Sequence, residues 1–328
     1  MKEKVVLARC SSYDVDEIQQ VVSQMLSISE NLKAQIKRNT TVILKPNIIQ
    51  AAEADWHLTT HPKFIEAIIR IVKDLGANPV ISDSPAFGSL LGAAKRLGLF
   101  EIAKKYNTPI KEFKSPMHLD IRTPYSLKGF VLDKEAIEAD MIINLPKLKA
   151  HVQLIYSGAV KNLYGCIPGK RKAWYHFMVH NDRRRFCELI LKIYEVIKPD
   201  INIVDGVIAM QGRGPRKGIG VQLNTLALGG DAVSVDAVIC KMLGIEQSDY
   251  DIISVAKDKD IGVADLEEID VERIGFKATD RLDLQLPSEL DDISFNIPRV
   301  IKSNIRHFFI KKVYERLSRH KQHPHNEK

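Results

Sequence analysis

The chain has only four cysteines in 328 residues, Cys10, Cys166, Cys187 and Cys240, and none shares a C-x-x-C spacing with another. Zinc ribbons and ferredoxin-type clusters need closely spaced thiolates, so this pattern argues against both, and an iron–sulfur cluster is not expected. A disulfide framework is equally unexpected in so large a chain. No apolar run approaches the roughly eighteen residues of a spanning helix. The N-terminus, MKEKVVLARCSSYDVDE, meets acidic residues too early for a secretory signal. Together these absences predict a cytosolic protein. Internal repeats and low-complexity tracts are missing too.

What is present is ordinary globular material, 45% hydrophobic and 27% charged, enough for one large domain or two modest ones. The net charge of +7 is unevenly placed. Residues 297–328 hold nine Lys/Arg against two Glu, which leaves the body balanced at 39 basic and 39 acidic residues. A neutral body argues against nucleic acid as the partner. The tail repeats apolar residues at helical spacing (Ile301, Ile305, Phe308, Phe309, Val313, Leu317) with basic residues around them. An amphipathic helix of that kind docks on an anionic membrane surface, on a partner protein or on its own body.

Chemistry-bearing residues are densest from Asn144 to His176. Asn144, Lys147, Lys149, His151, Lys161, Asn162, Lys170 and His176 fall there, punctuated by Gly158, Gly165, Pro168 and Gly169. Cations and imidazoles on backbone that can approach a ligand closely suit an anionic small molecule. A basic surface loop has the same composition. His151 and Lys161, however, flank apolar Val152, Leu154, Ile155 and Val160, which places both at a partly buried boundary. Cys166 is the one cysteine inside this stretch, and a buried free cysteine usually only packs.

Elsewhere, short apolar runs (Lys4–Ala8, Thr41–Leu44, Asn78–Ser82, Met141–Ile143, Ile201–Val204, Leu223–Leu228) read as buried strands. They alternate with segments of helical period (Val15–Lys37, Lys63–Leu75, Ala86–Gly98, Asp182–Lys198, Ala232–Leu243). That alternation predicts an α/β fold, a mostly parallel sheet with helices on both faces. Leu119–Phe130 reads as a hairpin or insertion, and residues 281–296 as a linker between a body of residues 1–280 and the tail.

In such sheets ligands bind at the carboxyl ends of the strands. Lys45 and Asn47, Asp83 and Ser84, and Asp205 are expected there, with Pro46 stopping the second strand. His61 either caps the helix at Pro62 or takes part in chemistry. Gly212, Gly214 and Gly218, with Arg213 between, form a possible anion cradle, although the spacing is that of neither a dinucleotide fingerprint nor a P-loop.

Taken together, Lys45-Pro46-Asn47, Thr60-His61-Pro62, Asp83-Ser84-Pro85, Asn144 to His151, Gly158 to Gly165, Val204-Asp205-Gly206 and Gly230-Asp231 with Asp236 resemble the domain of unknown function 362 family, over about residues 4–280. Many members carry an appended ferredoxin-like module, whose cysteines are missing here. The order His151, Lys161, His176 is also similar, more distantly, to the lactate racemase family. That likeness implies Lys161 as the tether of a nickel-pincer nucleotide, His176 as the nickel ligand and His151 as the acid/base. The sequence departs from that family at its second catalytic histidine, where Asp83-Ser84-Pro85 stands, and at the glycine pair before the lysine, replaced by Ala159-Val160.

The expected function is therefore an enzyme acting on a phosphate- or carboxylate-bearing small molecule, isomerase-like or redox-associated. His151, Lys161 and His176 would be its catalytic residues. Lys45, Asn47, Asp83, Ser84, Lys147, Lys149, Asn162 and Arg213 would bind the ligand, and His176, Asp205 and Asp231 are possible ligands for a divalent or transition metal. The other reading is a non-catalytic sensing or accessory protein docked through its tail.

Overall fold

The computed structural model describes residues 2–53, 57–121, 130–169 and 171–293. The tail (297–328), Lys170 and the centre of the expected hairpin lie outside these residues. In chain order the elements begin β1 (Glu3–Arg9), α1 (Val15–Ile28), α2 (Glu30–Lys33), β2 (Thr41–Pro46), α3 (Pro62–Asp74) and β3 (Asn78–Asp83). They continue α4 (Leu90–Arg96), α5 (Leu99–Lys105), β4 (Ile110–Glu112), β5 (Pro116–Leu119), β6 (Phe130–Asp133), α6 (Lys134–Ile137), β7 (Met141–Leu145), β8 (Lys147–His151) and β9 (Ile155–Ser157). The last are α7 (Ala159–Asn162), α8 (Arg171–Met178), α9 (Arg183–Ile197), β10 (Ile201–Gln211), β11 (Ile219–Gly229), α10 (Ala232–Met242), α11 (Asp251–Lys259) and β12 (Ile269–Ile274).

The main sheet runs β12-β1-β11-β10-β7-β2-β3-β4, with β8 and β9 continuing beside β10. Its pairings are parallel except those of β11 with its two neighbours and of β8 with β9. This is the α/β class that the alternation of elements predicts. Both faces are covered, and the period of two shows why. Val5 and Leu7, Ile43, Ile142 and Val204 join the core beneath α9, α10 and α11. Their neighbours Val6 and Ala8, Val42 and Leu44, Met141 and Ile143, and Ile203 join the core beneath α1 and α3.

Local details differ from the expectations. The helical stretch from Val15 breaks at Ser29, whose backbone leaves the helical region at φ −107°, ψ 60°. The helix after Pro85 starts only at Leu90, where the Ser89 hydroxyl caps Gly92 N. Pro46 ends β2 but still belongs to the ladder opposite Leu145, because a last residue can lack its N–H without breaking a bond that a central one would make. Residues 144–169 and 171–176 are mostly strand and helix, and the strand at Ile201 continues through Asp205 to Gln211. Residues 281–293, expected as a linker, form no helix or strand yet lie against the body. Leu282, Leu284 and Ile293 are buried, and Leu282 N, Asp291 N and Gly212 N close backbone bonds across it.

Candidate functional site

The carboxyl ends of β2, β3 and β7 converge, and Pro146 turns β7 into β8, which follows β10 away from β2. On β8 the spacing of two puts Lys147, Lys149 and His151 on one face, all buried. Residues 47–53 and 57–60 and the turn containing α7 lie beside them. Thr60 staples these residues, donating to Leu145 O (2.6 Å) and accepting from Asn47 N (2.8 Å).

Two buried ion pairs bracket the region. Lys45 Nζ lies 2.9 Å from Asp83 Oδ1, while Asp83 Oδ2 accepts from Ile48 N and Oδ1 from Ser84 N. Lys147 Nζ lies 3.0 Å from Asp205 Oδ2, which also accepts from His61 N, and Asp205 Oδ1 accepts from the Tyr13 hydroxyl at 2.7 Å. Tyr13 receives Lys147 as well and stacks on His61 at 3.7 Å. His61 caps α3 through Nδ1, and its burial holds the imidazole down to about 4. Between the pairs runs a chain of four amides. Asn47 donates to Asn162 (2.8 Å), Asn162 to Asn144 (2.8 Å), and Asn144 to Asn202 (2.9 Å). With donors and acceptors matched in sequence, these groups form a rigid polar frame.

Glycine is required twice in this frame. A Cβ on Gly158 would lie 2.1 Å from Asp236 Oδ1, and one on Gly165 would lie 2.3 Å from Asp83 Oδ1 and 2.5 Å from Lys45 Nζ. Asp236 is fully buried and accepts from Ala159 N (2.6 Å) and Val160 N (3.0 Å), which fixes the turn that carries Lys161. Burial outweighs those two bonds and pushes its carboxyl up to about 7.

The groups left for chemistry are Lys149, His151, Lys161 and His176. Among the described residues the half-buried Lys161 amine has neither a hydrogen bond nor an ion pair, and its nearest rings are Tyr164 and Phe186, each 6.0 Å from Nζ. The His176 ring packs on the same two, 5.4 Å from Tyr164 and 4.3 Å from Phe186. Burial lowers Lys161 to about 8. Burial, then the Lys161 charge, lowers His176 to about 3, and His176 also bonds the backbone of Ile293. His151 is driven well below its ordinary value by burial, Lys161, Lys149 and His176 in that order. Its Nδ1 accepts from Gln153 N (3.1 Å), so the neutral ring carries its proton on Nε2. Lys149 donates to Asn47 Oδ1 and to Leu58 O (2.8 Å), and burial and neighbouring cations hold it well below the usual lysine range.

The remaining expected residues have other partners. Ser84 Oγ accepts from Gly169 N, and Ser84 O accepts from Lys172 Nζ (2.6 Å). Arg213 is an exposed side chain paired with Asp291 at 3.0 Å, in the β10–β11 hairpin. Asp231 caps α10 at Ser234 N (2.8 Å) and accepts from the Tyr194 hydroxyl (2.7 Å), so it does not join His176 and Asp205. Among the described residues no three His, Cys, Asp or Glu side chains converge on a metal position. Burial pushes the Cys166 thiol up to about 12, which keeps it protonated. An open depression lined by Gln35, Arg38, Asn39, Thr40, Asp140 and Asp200 lies where β2 and β7 begin, at the opposite end of the strands.

Sequence reasoning missed Tyr13, Asn202 and Lys172. Asn202 did carry a signal, a lone amide in the apolar strand Ile201–Val204. Tyr13 carried none, since only the fold brings it to Asp205.

Residues 42–241 match the family described as "Domain of unknown function (DUF362)". The chain belongs to the DUF362 family. A member-like relative, a thylakoid-associated protein of Synechocystis, is 33% identical over 97% of this chain and 98% of its own length. Among solved structures, the lactate racemase apoprotein of Thermoanaerobacterium thermosaccharolyticum is similar at a TM-score of 0.42 and 12% identity, covering 70% of this chain. This chain spans 55% of that racemase.

Proposed function

We propose that this DUF362 protein is an enzyme that binds a carboxylate- or phosphate-bearing small molecule between Lys149 and Lys161, with His151 and His176 moving protons. The observation that carries this reading is the Lys161 amine. Dehydrating a cation without an anionic partner destabilises a fold, and no carboxylate among the described residues pairs with it. Perturbed groups of this kind cluster at functional sites. An arriving anion would recharge both amines and raise both imidazoles toward the working pH, where they exchange protons.

Lys161→Met tests it, because Met keeps the apolar stem and removes only the amine. The variant is expected to be at least as stable as the parent in thermal unfolding. Its affinity for malonate or inorganic phosphate, measured by calorimetry, is expected to fall about tenfold or more, the worth of one charge-assisted contact. Undiminished affinity in a folded variant would sink the reading.

A second reading, a cytoplasmic protein held peripherally at a membrane surface by residues 297–328, is supported by the basic amphipathic pattern of that segment and by the thylakoid association of the relative. Among the described residues no helix is long and apolar enough to cross a membrane. Full-length protein is expected to sediment with anionic vesicles and not with neutral ones, and a chain ending at Asn296 is expected to stay in the supernatant. Equal sedimentation of the two chains would refute tail-mediated docking.

A further inference from the structure

We infer that the ligand of this site is also a carbonyl compound, and that Lys161 captures it as an imine while Lys149 holds its carboxylate or phosphate. The inference rests on the anion-binding reading above and adds the substrate class and the covalent step.

Four observations carry it. The Lys161 amine is free of acceptors among the described residues, so no hydrogen bond or counter-ion holds it as the ammonium. It sits 6.0 Å from the Tyr164 and Phe186 rings, an apolar wall that disfavours the ammonium and so leaves a nucleophilic amine near neutral pH. Lysines in ordinary structural roles look different in this same molecule: Lys45 and Lys147 are each tied to a carboxylate, and Lys172 to a carbonyl oxygen. Finally, the His176 ring packs on the same Tyr164 and Phe186 rings that Lys161 faces, and burial together with the Lys161 charge keeps it and His151 neutral, so that both can accept a proton.

The step balances without a redox partner. The Lys161 nitrogen lone pair forms a bond to the carbonyl carbon, and the π pair moves to oxygen. The proton leaving nitrogen passes through an imidazole to that oxygen, giving a carbinolamine. A second proton, drawn from water through the same imidazole, then converts the hydroxyl into departing water, the nitrogen lone pair closes the C=N bond, and the iminium returns its remaining N–H proton by the same route. Amine and carbonyl have become imine and water. The carbon next to the imine is now acidified, and a neutral histidine is placed to take its proton.

The test uses full-length protein at neutral pH with cyanoborohydride and either pyruvate, as the carboxylate arm, or dihydroxyacetone phosphate, as the phosphate arm. Intact mass and peptide mapping are expected to show one stoichiometric reduced adduct, on Lys161, slowed by excess malonate or phosphate. The preferred arm identifies the anionic group. Lys161→Arg retains the charge but cannot form the imine, so it is expected to bind malonate and give no adduct. If both arms leave Lys161 unlabelled, or label it no faster than surface lysines, while malonate still binds, the imine is wrong and the anion site stands. If malonate binding is missing as well, the reading beneath it has failed.

Discussion

Gly165→Ala is expected to lower stability by about 4 kcal/mol, a melting temperature lower by roughly 8 °C or more. The added methyl would sit 2.3 Å from Asp83 Oδ1, 2.5 Å from Lys45 Nζ and 2.9 Å from Lys45 Cε. Neither partner can yield cheaply. Both are buried, and Asp83 is also held by Ile48 N and Ser84 N. Moving either leaves a buried charge without its counter-ion, a loss of about 3–5 kcal/mol when complete. Gly88→Ala is the control. Gly88 has φ +81° but nothing within 4 Å of the added atom, so only backbone strain of about 1 kcal/mol is expected. Thermal unfolding of the two variants side by side decides it, and equal losses would show that the Lys45–Asp83 pair is free to move.

Replacing His176 by Phe is expected to flatten the acid limb of the stability profile. In the folded chain His176 is held down to about 3, whereas in the unfolded chain it titrates at its ordinary value near 6.5. Between those values only the unfolded chain takes up the proton. Stability therefore falls as pH falls through this window, by about 1.4 kcal/mol per pH unit and about 5 kcal/mol in all, and is constant above it. His61 and His151 act in the same direction. Asp236 opposes them: its carboxyl is pushed up to about 7, so the folded chain takes that proton first and gains stability as pH falls from 7 toward 4. The difference between parent and His176→Phe, measured by urea unfolding from pH 7 to pH 4, isolates the one imidazole because Asp236 is common to both. Parallel profiles would mean that the ring is hydrated and titrates normally.

Much of the site was written in local spacing. The repeat Lys147-x-Lys149-x-His151 could be read as three groups on one face once the segment was known to be a strand, whereas by composition the stretch suited a basic surface loop equally well. Gly158 and Gly165 make room for buried carboxylates of their own chain, a role that composition cannot distinguish from close approach to a ligand. Arg213 was drawn in by the glycines around it, although its guanidinium faces Asp291 on the surface.

The sequence by itself determined the α/β class, the covering of both sheet faces and the family, because each follows from period, alternation and short motifs in order. Those signals are local, and burial on both faces of a strand leaves a mark in every run of apolar residues. Only the tertiary structure decided which cations are neutralised and which are not. Lys45, Lys147 and Lys161 are chemically alike, and their partners, or the lack of one among the described residues, come from strands and helices far apart in the chain. Charge pairing depends on distance in space and on dehydration, and neither is recorded in the order of the residues.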